Sequence, residues 1–207
     1  MSVIPIIISL VGLSVAIFTF YKTLLKPPDI SVLIGPNIYV FHYDYPEIST
    51  GLYVPMTFVN SSPNIGSVFR CAISIFRVDE PEAIYFCLWK EFTVSYENCW
   101  KFDGEAHSFA VSGKTSVSRV ALFRWLRASN QELIFKRGSY SVVVHLWLGR
   151  NTKPINTAIK FHVTQDIEDY LQNQIDNQSS DAQPILLNKD FDINRVLSIH
   201  EYKKLLE

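Results

Sequence analysis

The side chains with which this chain could do metal or nucleophilic chemistry are five histidines, three cysteines and scattered carboxylates. His145 and His162 are the best-placed metal pair, because both occupy outward positions on two alternating segments joined by Gly149-Arg-Asn-Thr-Lys-Pro154. If Gly149 faces Pro154, His145 pairs with Ala158 and Ser141 with His162. The imidazoles then stand about 13 Å apart along the ladder, at about 3.3 Å per residue. They cannot share one ion. Glu105 and His107 form a lone carboxylate–imidazole pair in a loop. No GxSxG, Cys–His signature or phosphate-cradling glycine loop is present, and the carboxylates scatter through turns. Cys71, Cys87 and Cys99 are odd in number and lack a CxxC pair, which fits neither a disulfide framework nor a zinc site. Cys71 reads as a small buried hydrophobe. A Cys87–Cys99 bridge stays open as an alternative. The expectation is a non-enzyme without cofactor or metal.

Two groupings could bind rather than catalyse. The first is basic and aromatic: Arg119, Phe123, Arg124, Trp125, Arg127, Lys136 and Arg137, with Glu132 the one acid nearby. On an anionic leaflet each such cation adds about 1 kcal/mol. The alternative is a solvated strand face with Trp125 in the core. The second is the run Tyr85, Phe86, Trp89, Phe92, Tyr96, Trp100 and Phe102, too dense for one face of one strand. Its members either cover a core under a long loop or offer aromatic surface to a partner.

The elements that position these groups begin with an anchor. Val3–Tyr21 contains no charged residue, and a helix of that length covers most of a hydrocarbon layer about 30 Å thick. Phe18, Phe20 and Tyr21 cluster at its end as an aromatic belt, and Lys22 and Lys26 close it. A cleaved signal peptide would want a basic leading region and a small-x-small site, so retention is expected. The cations on the C-terminal flank, with three unpaired thiols, put the main domain in the cytoplasm at a plasma or inner membrane. The sequons Asn60-Ser-Ser and Asn177-Gln-Ser would matter only on the opposite side. A net charge of −1 in 207 residues argues against a nucleic-acid partner.

After the stiff exit Lys26-Pro-Pro-Asp29 comes a series of short apolar runs: Ile30–Ile34, Ile38–His42, Leu52–Val59, Val68–Arg77, Ala83–Val94, Ser108–Val111, Val117–Trp125, Ser139–Leu148 and Ile155–Val163. Turn residues separate them, and no long helical period intervenes. That is the pattern of an antiparallel β-sandwich. Tyr140, Val142, Val144, Leu146 and Leu148 share one face, as do Ile155, Thr157, Ile159, Phe161 and Val163. Phe69, Cys71, Ile73 and Ile75 point inward by the same alternation.

Arg137-Gly-Ser-Tyr140, leading into an alternating strand and a final hairpin, resembles immunoglobulin-like and fibronectin-type β-sandwiches. The likeness covers roughly residues 29–164, with Tyr140 at the tyrosine-corner position. No Cys–Trp–Cys constellation accompanies it, which excludes an antibody-type domain.

The expected organisation is an anchor over 1–26, an Ig-like sandwich over 27–164 and a helical tail over 165–207. Gln165–Ile175 reads as a short amphipathic helix with Ile167, Tyr170, Leu171 and Gln174 on its stripe. A polar linker, Asn177–Pro184, precedes a last helix carrying Ile193, Val196, Leu197 and Ile199 as a partner-binding face. The tail is expected to be dispensable for the core. The functional expectation is a single-pass, non-catalytic protein-binding or scaffolding module, with a small-molecule or glycan receptor as the alternative.

Overall fold

The computed structural model describes residues 4–42, 49–96, 99–126 and 132–187. Helix α1 (Ile4–Phe20) runs into a π-helical turn, Tyr21–Leu25. Ile6–Thr23 is apolar and long enough to cross a membrane, and none of it is buried inside the protein. Its hydroxyls find partners within the helix. Ser14 Oγ donates to Leu10 O and Thr23 Oγ1 to Thr19 O, which suits a setting without water.

The rest is mainly β. The strands are β1 (Ile30–Ile34), β2 (Asn37–Phe41), β3 (Ser49–Asn60), β4 (Gly66–Val68), β5 (Arg70–Arg77), β6 (Glu80–Tyr96), β7 (Cys99–Glu105), β8 (Phe109–Val111), β9 (Ser116–Leu126), β10 (Gly138–Trp147), β11 (Ile155–Val163) and, after helix α2 (Gln165–Asn177), β12 (Gln183–Leu186). The main sheet follows the order β11-β10-β5-β6-β9-β3-β2-β12, with β1 on β3 and β7 on β6, and β4 pairs with β8 separately. An antiparallel bridge between Phe161 and Leu187 brings the two ends of that path together, so the sheet nearly closes on itself. The long strand β6 serves both halves. Ala72 to Ile75 of β5 pair with its first part, and Leu122 to Val120 of β9 pair with its second, across a register shift between Trp89 and Glu91. A bulge there bends the strand from one half to the other.

Because every pairing is antiparallel, the strands define two poles. At the pole next to α1 Ile30 faces Asn60, Val59 faces Ser116 and Arg70 faces Trp147. At the far pole Ser49 faces Leu126 and Gly138 faces Val163. The 12 residues of β3 separate the poles by about 40 Å.

Alternation places the core as expected along β5 and β10: Cys71, Ile73, Ile75, Tyr140, Val142, Val144 and Leu146 are all buried. Phe69 is not inward but exposed, because β5 begins one residue later. The β10–β11 register also differs from expectation. His145 faces Asn156 and Ser139 faces His162, because Leu146–Ile155 rather than Gly149–Pro154 closes the hairpin. The shift amounts to two residues, so every side chain keeps its face. It places the two imidazoles about 20 Å apart.

The tail needs a larger correction. Thr164 caps α2, its Oγ1 accepting from Ile167 N–H at 3.4 Å. Leu171 of α2, Ile185 of β12 and the following Leu187 are buried in the main core. The core therefore does not end at residue 164, and the segment expected as a polar linker ends in β12, which pairs with β2. The expected last helix, with Ile193, Val196 and Leu197, lies outside the described residues, as does Arg127.

Tyr140 clasps the segment that leads into β10. Its hydroxyl donates to Lys136 O at 3.0 Å and accepts from Lys136 N–H at 2.9 Å. Tyr140→Phe should cost about 1–2 kcal/mol, since both backbone groups lose a partner in a half-buried setting. Urea unfolding of the detergent-solubilised chain, followed by tryptophan fluorescence, measures it.

Candidate functional site

The grouped cations do not form one surface. Arg119 and Arg124 stand an odd number of residues apart on β9 and leave by opposite faces. The Arg119 guanidinium lies 5.9 Å from the Phe92 ring centre and 6.0 Å from that of Phe109. Arg124 Nε donates to Ser49 Oγ at 3.1 Å. Trp125 is half-buried and meets Tyr85 edge-on at 5.2 Å. Lys136 and Arg137 lie at the far pole, where Arg137 N–H donates to Glu168 Oε2 at 2.8 Å. Lys136 lines a cavity of about 270 Å³ with Arg77, Tyr85 and Tyr140. Arg77 is paired there with Asp79 and Glu80, each at 3.1 Å. Gly138, with φ of +149°, makes room for it, since a Cβ would stand 3.0 Å from Arg77 Nε.

His42 is a buried titratable group strongly perturbed by its surroundings. Burial lowers its pKa from 6.5 to about 4. Phe135 N–H donates to Nε2 at 3.0 Å, which places the ring proton on Nδ1, 2.8 Å from Thr50 Oγ1. The Thr50 hydroxyl donates onward to Leu133 O. The His42 backbone N–H donates to Gln174 Oε1 at 3.4 Å, and Gln174 Nε2 donates to Asp181 O. His42 thus joins the end of β2 to β3 and the segment after β9 through its neutral imidazole, and to α2 through its backbone N–H. No sequence signal marked it, because its partners lie far along the chain. Burial also pushes the Cys71 and Cys87 thiols up to about 12. All three cysteines are free.

A hydrogen-bonded array crosses the outer face of β5, β10 and β11. Ser74 Oγ is 2.7 Å from His145 Nε2, and His145 Nδ1 is 2.8 Å from Asn156 Oδ1. Nδ1–H therefore donates to the amide oxygen, and the serine hydroxyl donates to Nε2. The order resembles a nucleophile, base and orienting group. Acyl transfer also needs donors aimed at an oxyanion. β5 and β10 are interior strands, so their N–H groups on this open face are engaged in the ladders. Among the described residues, no three His, Cys, Asp or Glu side chains gather as metal ligands.

Beside the array, Ile84, Phe86 and Leu88 stand in a row on β6, exposed by 61%, 48% and 48%. At period 2 they are spaced about 7 Å apart. The Phe86 ring lies 5.9 Å from His145.

The aromatic run divides between core and surface. Phe92 is buried, Trp89 packs on the core, and Tyr96 and Phe102 are exposed. Trp100 on β7 stacks on Tyr53 at 4.9 Å and meets Tyr39 edge-on at 4.9 Å. The β6–β7 hairpin therefore arches over the outer face of β3 and β2, helped by a register shift between Phe92 and Thr93. Open cavities flank Trp100. One, of about 400 Å³, is bounded by Phe41, Tyr53, Phe102, Leu122 and Arg124. The other, of about 350 Å³, is bounded by Pro55, Thr57, Val94, Asp103 and Val120.

No family model matches the chain. No curated protein matches it either. Among solved structures it is similar to Spo0M, a sporulation control protein of Bacillus subtilis, at 7% identity and a TM-score of 0.31, covering 73% of this chain and 56% of that one. The chain thus spans a little over half the length of that protein. It is also similar to the putative ApaA protein of Bordetella pertussis, at 14% identity and a TM-score of 0.29, covering 68% of this chain and 96% of that one. Likenesses at this level carry no argument about fold or function.

Proposed function

We propose that this chain is a single-pass, membrane-anchored, non-catalytic module whose β domain binds another protein, as an accessory subunit or scaffold. The observation that carries the reading is the exposed row Ile84, Phe86 and Leu88 on an interior strand. Contiguous apolar surface of this kind is costly to leave in water and fits the apolar face of a second membrane-anchored chain. The backbone N–H groups around the array at His145 are engaged in the ladders, which supports a non-catalytic reading. The Tyr140 clasp supports reading the domain as an Ig-like sandwich.

A cytoplasmic domain fits Lys22 and Lys26 beyond the span and the three free thiols. It also fits the burial of Asn60, 1% exposed, whose amide nitrogen donates to both Asn64 O and Val111 O. Glycan attachment there is blocked in the folded domain. Asn177 is exposed, so a glycan found on it would overturn this orientation.

A photo-reactive phenylalanine analogue at position 86 should crosslink a discrete protein in intact membranes, and one at Lys160, on outer strand β11, should not. Absence of any adduct from positions 84, 86 and 88 would remove the reading. The cavities beside Trp100 favour a second reading, a small-molecule or glycan receptor, because aromatic walls with a few polar groups suit such ligands. Trp100→Ala would then abolish ligand-induced fluorescence changes while leaving the crosslink at 86 intact.

A further inference from the structure

We propose that the anchor pole of the domain is a docking surface for anionic lipid headgroups, an inference that rests on α1 being a membrane anchor. The chain leaves the helix with no slack. Lys26 O accepts from Asn64 Nδ2 at 2.8 Å and from Ser62 Oγ at 3.3 Å. Ser61 N–H donates to Asp29 O at 2.9 Å, and Ser61 Oγ donates to Asp29 Oδ2 at 2.5 Å. Asn60 Oδ1 accepts from Asp29 N–H at 3.4 Å and Ser62 N–H at 3.0 Å, which fixes the loop to the exit. Gly66 closes the contact, since a Cβ there would fall 2.7 Å from Pro28 Cβ.

Lys22 closes the uncharged stretch, so Lys26 lies about 6 Å further along. The headgroup layer on each side of a bilayer is about 5–7 Å thick. A loop hydrogen-bonded to the Lys26 carbonyl is therefore within reach of that layer. It carries Ile65, 67% exposed, between two residues held against the exit segment.

Basic residues outnumber acidic ones at this pole. Lys26, Arg70, Lys114, Arg150 and Lys153 occupy the exit, the ends of the β4 and β9 loops and the β10–β11 hairpin, and segments 61–70, 112–118 and 147–156 contain no carboxylate. Asp29, on the exit, already lies 3.9 Å from Lys26 Nζ. Lys114 Nζ donates to Ser61 O at 2.5 Å, which ties its loop to the junction. Arg70 lies over the Trp147 ring at 4.3 Å, a pairing of cation and indole suited to a bilayer interface. The far pole carries Asp79, Glu80, Glu82, Glu132, Asp166, Glu168 and Asp169 against three cations, Arg77, Lys136 and Arg137. A domain so polarised is drawn to an anionic leaflet by its anchored end and repelled from it by the other.

The test uses the full chain, with Cys99→Ser, in nanodiscs of phosphatidylserine and phosphatidylcholine. Spin labels are placed one at a time at Ile65→Cys, Val15→Cys and Val78→Cys. The label at 65 should be reached by a lipid-borne relaxation agent and shielded about tenfold from an aqueous one relative to the label at 78. That shielding should be lost in pure phosphatidylcholine and in the triple variant Lys114→Glu, Arg150→Glu, Lys153→Glu. A label at 65 as open to water as that at 78, with 15 in lipid, overturns the docking alone. Labels at 15 and 65 both in water overturn the anchor and the docking together. Shielding at 65 that survives both charge controls overturns the role assigned to headgroups.

Discussion

Phe135→Ala should lower the stability of the domain by about 3–5 kcal/mol, although residue 135 belongs to no strand or helix. The ring is completely buried. It stacks on His42 at 5.6 Å and meets Tyr140 and Phe161 edge-on at 5.0 and 5.6 Å. Truncation removes these contacts and leaves a cavity among residues held by β2, β10 and β11, which cannot all collapse inward. It also loosens the backbone that donates from Phe135 N–H to His42 Nε2. Against a typical stability of about 5–15 kcal/mol, such a loss is a large share of the total. Phe135→Leu, which keeps most of the volume, should cost under about 1.5 kcal/mol. Urea unfolding of both variants decides the matter. If segment 132–137 were only a surface connection, alanine would cost less than about 0.5 kcal/mol.

Acid should begin to weaken the fold through His42 at a pH above the range where carboxylates titrate. An unfolded chain takes a proton on this imidazole below 6.5, and the folded one resists until about 4, because the buried ring is cut off from water. The stability it contributes is therefore complete above pH 6.5 and is lost as pH falls toward 4. The slope approaches about 1.4 kcal/mol per pH unit, and the whole window amounts to about 3 kcal/mol. Protonation would also turn Nε2 from an acceptor into a donor facing Phe135 N–H, so the segment carrying Phe135 should open first. Denaturation midpoints between pH 6.5 and 5 should fall steadily in the native chain. In His42→Gln, already less stable, they should be flatter across the same interval. Equal slopes in the two proteins would contradict the assignment.

What the residues revealed in advance was whatever depends on near neighbours. The alternation of Tyr140 to Leu146 against Ser141 to Trp147 needs only the pleat, and it located β10 and its buried face. The hairpin register came out two residues off, since apolar alternation is satisfied equally by either pairing. Long-range features stayed hidden. β12 is four residues with a proline, and its partner β2 lies at the other end of the domain. β7 carries Lys101, Asp103 and Glu105 in seven residues, so no apolar period marks it. The arch that places Trp100 on Tyr53 depends on register shifts in β6, which no local pattern encodes. Arg119 and Arg124 looked like one basic patch along the chain, but the pleat sends them to opposite faces. The cations that share a pole, from Lys26 to Lys153, are scattered through the sequence and are gathered only by the fold.

Both the binding module and its docked pole stand on one premise, that α1 holds the chain in a bilayer. Alkaline carbonate extraction of membranes containing the full chain, tagged at each end, tests it most directly. The account predicts that the intact chain, with both tags, stays with the membrane, and that removing residues 4–25 releases the domain. An intact chain washed into the supernatant, or one that has lost its N-terminal tag by cleavage after the apolar stretch, would contradict it.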